Sequence, residues 1–185
     1  VFIVFGGANN EGEMGKEVIR KFDFVDAVIS GEGENAFSQL TDRLNSKEDI
    51  NTVRGIITKE NVISLNNQGA EMISNMDSIP TPDYEDYFNA LEHYQFERPL
   101  KPRLLFETSR GCWWGEVSHC TFCGLNGASM KFRSKTADHA MEEIKLLARK
   151  YPLIPISVVD NILDMEYFKS FIPLLIKEKL DLELF

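Results

Sequence analysis

Three cysteines lie close together in the middle of the chain, and their type and spacing suit metal chemistry. Residues 107–124 read Glu-Thr-Ser-Arg-Gly-Cys-Trp-Trp-Gly-Glu-Val-Ser-His-Cys-Thr-Phe-Cys-Gly. The segment contains all three cysteines of the protein, Cys112, Cys120 and Cys123, in the pattern C-x7-C-x2-C. Three soft thiolates on a short glycine-flanked segment favour one soft metal centre. An iron–sulfur cluster held by three cysteines would keep one iron open to a further ligand.

A zinc site is the alternative for the same cysteines. His119 could complete a Cys3His set, which is a standard structural arrangement. His119 adjoins Cys120, however, whereas structural zinc loops more often pair two separated ligand units. A disulfide from Cys120 to Cys123 is disfavoured, because the sequence shows no secretory signal. A zinc-stabilised interaction module without catalysis thus stays open beside the iron–sulfur interpretation.

The sequence around the cysteines resembles that of a known enzyme family. The lead-in Ser-Arg-Gly-Cys112 and the finish Cys120-Thr-Phe-Cys-Gly resemble the cluster loop of radical S-adenosylmethionine (SAM) enzymes. In that superfamily three cysteines hold a [4Fe–4S] cluster, and SAM binds the fourth iron and is cleaved reductively. The usual first spacing is C-x3-C, from which this chain departs. The whole run 107–133 is similar to radical SAM proteins that mature ribosomally made peptides (RiPP or bacteriocin maturation), which carry a cobalamin-binding domain on the N-terminal side.

The resemblance implies further SAM contacts near the cysteines. Phe122 would pack against the adenine, and Gly124 follows the last cysteine. Many superfamily members carry Gly-Gly-Glu after the second barrel strand, where it contacts the SAM amine. This chain instead reads Val159-Asp160-Asn161, so Asp160 and Asn161 are the candidates for that contact. The implied reaction is modification of a peptide, such as cobalamin-dependent C-methylation.

The first part of the chain must fold into strands that end in glycine-rich loops. Residues 1–5 and 25–29 are apolar runs rich in β-branched and aromatic residues, and each is followed by a glycine-rich loop and a helical pattern. This repeated unit predicts a parallel α/β sheet. Ligands bind such sheets outside the carboxyl ends of the strands, although ordinary tight turns would account for the same glycines.

The resemblance assigns these loops to a cofactor. Residues 1–76 resemble the C-terminal part of a Rossmann-like cobalamin-binding domain. The candidate cobalamin contacts are Gly6, Gly7, Ala8, Asn9, Gly31, Glu32 and Gly33. Residues 1–92 contain no histidine, which excludes a histidine ligand to cobalt from this part.

The second part of the chain predicts βα units. Residues 77–102 read as a linker with two prolines and a short helix, and residues 103–185 as the first βα units of a partial (β/α)6 radical SAM barrel. Predicted elements are a hairpin of 53–58 with 62–65, strands over 103–108 and 154–159, and a helix over 137–150 capped by Thr136. They continue with a helix over 165–179 that Pro173 should kink or interrupt, and a strand from Leu182.

Composition limits the classes of partner. Residues 1–100 carry 8 basic and 18 acidic side chains, and residues 101–185 carry 12 and 11. The acidic first part argues against nucleic-acid or anionic-membrane surfaces. No apolar run is long enough to span a bilayer, so we expect a cytoplasmic protein with a peptide or small-molecule substrate and an electron donor. Both ends read as interrupted strands, which predicts an internal fragment that is inactive alone.

Overall fold

The computed structural model describes residues 1–64, 69–94, 100–124 and 130–179, which form an α/β protein. Two compact units divide the chain. One comprises Val1–Ser74 with Cys120–Met130, and the other comprises Asn75–His119 with Lys131–Phe185. The α/β class predicted from the sequence is confirmed.

A three-stranded sheet organises the first unit. β1 (Val4–Phe5) pairs in parallel with β2 (Ala27–Ile29), and β2 pairs antiparallel with β3 (Ile56–Ile57). α1 (Glu13–Lys21) connects β1 to β2, and α2 (Gly33–Ser46) follows β2. The parallel pair with its helical crossover confirms the repeated strand–loop–helix pattern.

Both faces of the central strand β2 are buried. Ala27 and Ile29 pack with Leu40 of α2, and Val28 packs with Ile19 of α1. A strand covered by a helix on each face reads as a continuous apolar run, which is why residues 25–29 lack alternation.

The predicted hairpin of residues 53–58 with 62–64 is wrong in the described residues. The Val62 N–H donates to the Thr58 carbonyl at 3.0 Å, and the Asn61 side chain accepts from the Thr58 N–H at 2.8 Å. These local bonds close a turn after β3, because an Asn side chain can compete with ladder pairing. β3 takes β2 as its partner instead. Leu65 lies outside the described residues.

The second unit contains the remaining elements in chain order. They are α3 (Glu85–His93), β4 (Leu104–Phe106), β5 (Ser109–Arg110), α4 (Trp113–Val117), β6 (Arg133–Ser134), α5 (Ala137–Lys150), β7 (Ile156–Val158) and α6 (Phe171–Glu178). β4 and β7 pair in parallel, with Leu104 opposite Ile156. α5 is the crossover between them, and Thr136 accepts a hydrogen bond from the His139 N–H as its N-cap. This βαβ order and the Thr136 cap confirm the sequence prediction.

The core of the second unit lies between the β4–β7 pair and α5. Leu104, Phe106 and Ile156 of the strands pack with Ile144 and Leu147 of α5, and all five side chains are buried. Full burial of one such side chain contributes about 1.5–3 kcal/mol, so this cluster fixes α5 on the strands.

The predicted helix over 165–179 is interrupted before its proline. A 3-10 turn spans Met165–Phe168, and α6 begins at Phe171. Pro173 lies in the first turn of α6, where the backbone N–H groups have no partner within the helix. The missing N–H of proline is therefore tolerated there. The helix is interrupted, as predicted, but the break lies before Pro173 and not at it.

None of the helices in the described ranges is both long and apolar enough to cross a membrane. The strand predicted from Leu182 lies outside those ranges.

Candidate functional site

The cysteine-bearing segment leaves the carboxyl end of β4 and returns through a short two-stranded ribbon. In β5–β6, Ser109 lies opposite Ser134. Beside this pair, the Lys135 N–H donates to the Thr108 carbonyl at 2.8 Å. The residues between the two strands, which include all three cysteines, therefore start and finish at one ordered base. Parallel α/β barrels carry their chemistry on loops that leave this end of the strands.

Asp160 fastens this base to the end of β7. Its carboxylate accepts from the backbone N–H groups of Thr108 at 2.7 Å and Ser109 at 3.0 Å, and from the Thr108 hydroxyl. Hydrogen bonds to an ionised carboxylate are the strong class. Sequence reasoning assigned Asp160 to the SAM amine, whereas its observed contacts position the start of the cysteine segment.

Two further hydrogen bonds fix the same base to the residues after Asp160. The Ser109 hydroxyl donates to the Ile162 carbonyl at 3.0 Å, and the Trp113 indole N–H donates to the Leu163 carbonyl at 3.0 Å. Sequence reasoning missed both contacts. The only signal in the sequence was the proximity of Ser109 and Trp113 to Cys112, which does not identify a partner about fifty residues away.

Asp164 binds the other strand of the ribbon, β6. Its carboxylate accepts from the Ser134 hydroxyl and from the Glu166 N–H, where it caps the 3-10 turn. The Asp164 side chain thus contacts the last residue of β6 and caps the 3-10 turn over Met165–Phe168.

Each cysteine is a free, partly buried thiol. Cys112 precedes α4, and its sulfur accepts from the Gly115 N–H at 3.2 Å. Cys120 and Cys123 flank a turn in which the Cys123 N–H donates to the Cys120 carbonyl at 3.1 Å. Backbone N–H groups aimed at cysteine sulfur are one of the means by which proteins tune iron–sulfur clusters.

Three cysteine thiols are chemically suited to a thiolate-bound metal centre. Whether they lie close enough together to bind one is a separate question. Cys112 belongs to the second unit, and Cys120 and Cys123 belong to the first. Among the described residues no three His, Cys, Asp or Glu side chains are gathered as a metal site requires. His119, the fourth ligand of the zinc alternative, is exposed. Ligation by the three cysteines stays a prediction.

The other predicted SAM contacts lie at the surface. Phe122 is 90% exposed, and Gly124 and Asn161 are also exposed. An aromatic ring so exposed is accessible to a planar ligand group.

The glycine-rich loops of the first unit lie side by side, because β1 and β2 are parallel. Gly6, Gly7, Ala8 and Asn9 are exposed at the carboxyl end of β1. The Ser30 hydroxyl, just after β2, accepts from the Gly12 N–H at 2.9 Å and joins the two loops. Exposed backbone at this edge is where α/β sheets admit cofactors.

Two of the predicted cobalamin contacts have structural roles. Gly31 has φ +97°, and a Cβ there would lie 2.8 Å from the Ala70 nitrogen. The Glu32 carboxylate accepts from the Ile73 N–H at 2.7 Å. Both residues therefore hold the chain around Ala70 and Ile73 against the end of β2. Gly33, the last of the predicted contacts, begins α2.

A cavity of about 430 Å³ in the first unit lies away from these loops. Its lining includes Phe2 and Asp26, which precede β1 and β2, and Lys59, which follows β3. The cavity is therefore at the amino ends of the parallel strands, the opposite end from Gly6–Gly7, and it does not coincide with the predicted cofactor contacts.

Three buried polar side chains, Lys135, Glu143 and Tyr167, lie next to the end of β6. Lys135 and Glu143 form an ion pair in which both side chains are almost fully buried. The Tyr167 hydroxyl donates to the Lys135 carbonyl at 2.7 Å, and burial raises the pKa of Tyr167 to about 12. The phenol is therefore neutral at physiological pH and acts as a fixed donor.

No protein-family model matches the chain. The chain is 28% identical over 162 residues to an uncharacterized methyltransferase of Pyrococcus horikoshii, covering 87% of this chain and 33% of that relative. It is 28% identical over 151 residues to the cobalamin-dependent radical SAM methyltransferase TokK of Streptomyces tokunonensis, covering 80% of this chain and 21% of that relative. It is 27% identical over 150 residues to the 2-(S-pantetheinyl)-carbapenam-3-carboxylate methyltransferase of Streptantibioticus cattleyicolor, covering 80% of this chain and 21% of that relative.

The chain spans a third or less of the length of these curated relatives. None of the three names specifies a peptide substrate. The chain is similar to methyltransferases, and one of them is a cobalamin-dependent radical SAM enzyme.

Proposed function

We propose that the chain is part of a cobalamin-dependent radical SAM enzyme in which Cys112, Cys120 and Cys123 hold a [4Fe–4S] cluster. The observation that carries the proposal is the path of the cysteine segment, which leaves the carboxyl end of β4 beside the parallel strand β7. The similarity of the chain to a cobalamin-dependent radical SAM methyltransferase supports the proposal as well. Residues 103–185 would be the first βα units of a partial (β/α)6 barrel, residues 77–102 the linker, and residues 1–76 the C-terminal half of the cobalamin-binding domain.

Each part of the chain has a role in this proposal. When bound, the cluster supplies the electron that cleaves SAM reductively. The three thiolates hold the cluster, and the Gly115 N–H stabilises negative charge on the Cys112 sulfur. Phe122 and Gly124 contact SAM, and Asn161 contacts its amine. Asp160 keeps the start of the cysteine segment in place through Thr108 and Ser109.

The reaction we propose is methyl transfer to a carbon atom. The methyltransferase names of the relatives support methyl transfer. A peptide substrate rests on the resemblance of residues 107–133 alone. The loops at Gly6–Asn9 and Gly31–Gly33 would contact cobalamin at the ends of β1 and β2, and an external electron donor would reduce the cluster.

Anaerobic reconstitution of the chain with iron and sulfide tests the proposal. We expect about four irons and four sulfides per chain, and an EPR signal of the reduced cluster that shifts when SAM is added. The variants Cys112→Ser, Cys120→Ser and Cys123→Ser should each lose the signal. Ser118→Ala is the matched control, because it removes a hydroxyl from the same segment without removing a thiol, and it should keep the signal.

Two outcomes would contradict the proposal. A colourless protein with one tightly bound zinc, lost in the cysteine variants, would support the structural zinc module instead. A cluster whose EPR signal does not shift with SAM would contradict SAM binding by this chain, and it would leave standing the ligation of the cluster by the three cysteines.

A further inference from the structure

The second unit contains a cavity of about 210 Å³ beside the edge of β4 that faces away from β7. Its apolar lining is Ile79, Pro80, Pro82, Leu105 and Val159. Tyr84, Glu107, Lys135 and Glu143 supply the polar atoms. At about 30 Å³ for each water in the liquid, the cavity has room for roughly seven waters or one small organic molecule.

Glu143 brings an unsatisfied acceptor to this cavity. The residue is 3% exposed and lies on α5. Its Oε2 accepts from the Lys135 ammonium. Its Oε1 is buried and has no hydrogen-bond partner among the described residues. Buried polar atoms are nearly always paired, because an unpaired one loses its hydration without compensation.

The charges that line the cavity are already compensated. Glu143 is paired with Lys135, which is also 3% exposed. Both carboxylate oxygens of Glu107 accept from the Arg110 guanidinium at 2.9 Å. A charged ligand would therefore enter a mostly apolar site without a counterion, and burial of an unpaired charge is costly.

The hydroxyl of Tyr84, the tyrosine that lines the cavity, also has hydrogen-bond partners. The Tyr84 hydroxyl donates to the Leu105 carbonyl at 2.6 Å and accepts from the Leu105 N–H at 3.1 Å. It thereby pairs with the backbone groups of Leu105 at the edge of β4 that faces away from β7. In the described lining, Glu143 Oε1 is the acceptor that still requires a donor.

We propose that this cavity binds a small neutral molecule with one hydroxyl or amide N–H donor on an apolar body. The donor would reach Glu143 Oε1, and the apolar body would pack against the two prolines, Leu105 and Val159. The proposal does not depend on a metal or on SAM, so it stands or falls separately from the function of the cysteine segment.

Binding of benzyl alcohol, followed by protein-observed NMR on the full chain, tests the ligand class. Its isomer anisole has the same atoms and no donor, and the benzylammonium and benzoate ions are charged analogues. We expect saturable binding of benzyl alcohol, at least about tenfold tighter than anisole, because one hydrogen bond to a charged acceptor separates them. Equal affinity for the two isomers, or tighter binding of either ion, would overturn the proposal. Absence of saturable binding would mean that water alone serves Glu143, with the same consequence.

Variants locate the site. Val159→Phe should fill the cavity and weaken benzyl alcohol binding by at least about tenfold, since the added ring occupies the space of the ligand. Ile176→Phe makes the same kind of change at a residue of α6 that is 71% exposed and outside the lining, and it should leave the affinity unchanged. Undiminished binding to Val159→Phe would place the ligand elsewhere and overturn the proposal.

A second variant keeps the test independent of any single folding defect. Lys135→Met combined with Glu143→Leu replaces the ion pair by apolar groups and leaves no unpaired charge. It should bind anisole and benzyl alcohol with similar affinity. A preserved preference for the alcohol in this variant would show that Glu143 is not the acceptor.

Discussion

The Asp160 carboxylate accepts hydrogen bonds from both the backbone N–H and the hydroxyl of Thr108, 52 residues earlier in the chain. Thr108 lies just after β4, and Asp160 lies just after β7. The parallel pairing of the two strands brings their carboxyl ends together, and this side chain then joins them. The position of the cysteine segment is therefore coupled to the end of the next strand.

Replacement of Asp160 tests this coupling. Asp160→Asn removes the charge and one acceptor oxygen while keeping the shape, so at least one donor of Thr108 or Ser109 loses its partner. We expect the free energy of unfolding to fall by about 1–3 kcal/mol, measured by urea titration. Glu142→Gln makes the same chemical change at an exposed residue of α5, and it should change the stability by less than about 0.5 kcal/mol.

A second measurement tests whether Asp160 acts through Thr108. Thr108→Val removes one donor to Asp160 and leaves the carboxylate in place. If Asp160 acts through Thr108, the double variant with Asp160→Asn should be less destabilised than the sum of the two single variants. Strict additivity would show that the two side chains do not act together.

The sequence predicted the elements whose causes are local. The βα units at β1–β2 and β4–β7 follow from apolar runs that end in loops, and the start of α5 follows from Thr136 as its cap. The antiparallel position of β3 was missed, because the pairing of a two-residue strand depends on its neighbour and not on its own residues. The interruption expected at Pro173 lies instead before α6, because Pro173 suits a first helical turn as well as a kink.

The site was predictable in its ligands and not in its supports. Three cysteines in one segment suggest a metal centre without any structure. The partners of Asp160 and Trp113 were not accessible to sequence reasoning, since contacts over about fifty residues depend on which strands are neighbours. Glu143 was missed for a different reason. It occupies a helix face that the apolar pattern assigns to the core, and a charged residue there is expected only when it is paired.

The buried pair of Lys135 and Glu143 should be strongly coupled. Lys135→Met alone leaves the Glu143 charge buried without its partner, and we expect a loss of about 3–5 kcal/mol in unfolding free energy. The double variant Lys135→Met with Glu143→Leu should recover most of that loss, because apolar groups of similar volume replace the pair.

Lys169→Met provides the control for that pair. Lys169 and Glu166 form an ion pair at 3.7 Å whose side chains are 80% and 75% exposed. Exposed pairs contribute at most about 1 kcal/mol, so this variant should be nearly neutral. If the Lys135 variant were as mild as the Lys169 variant, the pair would not be buried in solution.

Acid should weaken the attachment of the segment before α3 to the end of α5. The Asp83 carboxylate accepts from Lys150 at 2.9 Å and from the Tyr151 hydroxyl at 2.7 Å. Lys150 in first place, then Tyr151 and the Glu85 N–H, hold the pKa of Asp83 well below its usual value. A lowered pKa in the folded state contributes stability above about pH 4 that is lost as the pH falls further.

The variant Asp83→Asn measures this contribution. It should be less stable than the unmodified chain at pH 6, and the difference should shrink as the pH is lowered below 4. Asp86→Asn, at an exposed position of α3, should show no such pH dependence. A difference that stays constant between pH 6 and pH 3 would mean that ionisation of Asp83 does not contribute.

Alkali should weaken the second unit through Tyr167. Burial raises the pKa of its phenol to about 12, against about 10 in an unfolded chain. The folded state thus retains a proton that the unfolded state releases, so the contribution of Tyr167 is complete below pH 10 and is lost between about pH 10 and pH 12. Tyr167→Phe removes the hydrogen bond to the Lys135 carbonyl and should cost about 1–2 kcal/mol at neutral pH.

The pH dependence of that variant gives the direct test. The stability advantage of the unmodified chain over Tyr167→Phe should disappear as the pH rises from 10 to 12, because the upward shift of the phenol pKa corresponds to about 2–3 kcal/mol. Tyr87→Phe removes the hydroxyl of an exposed ring, so its stability should follow that of the unmodified chain throughout. Tyrosinate absorbance near alkaline pH reports the same event, because the difference spectrum between the unmodified chain and Tyr167→Phe isolates one phenol. If that phenol ionises near pH 10, it is open to water, and the hydroxyl does not hold the base of the cysteine segment.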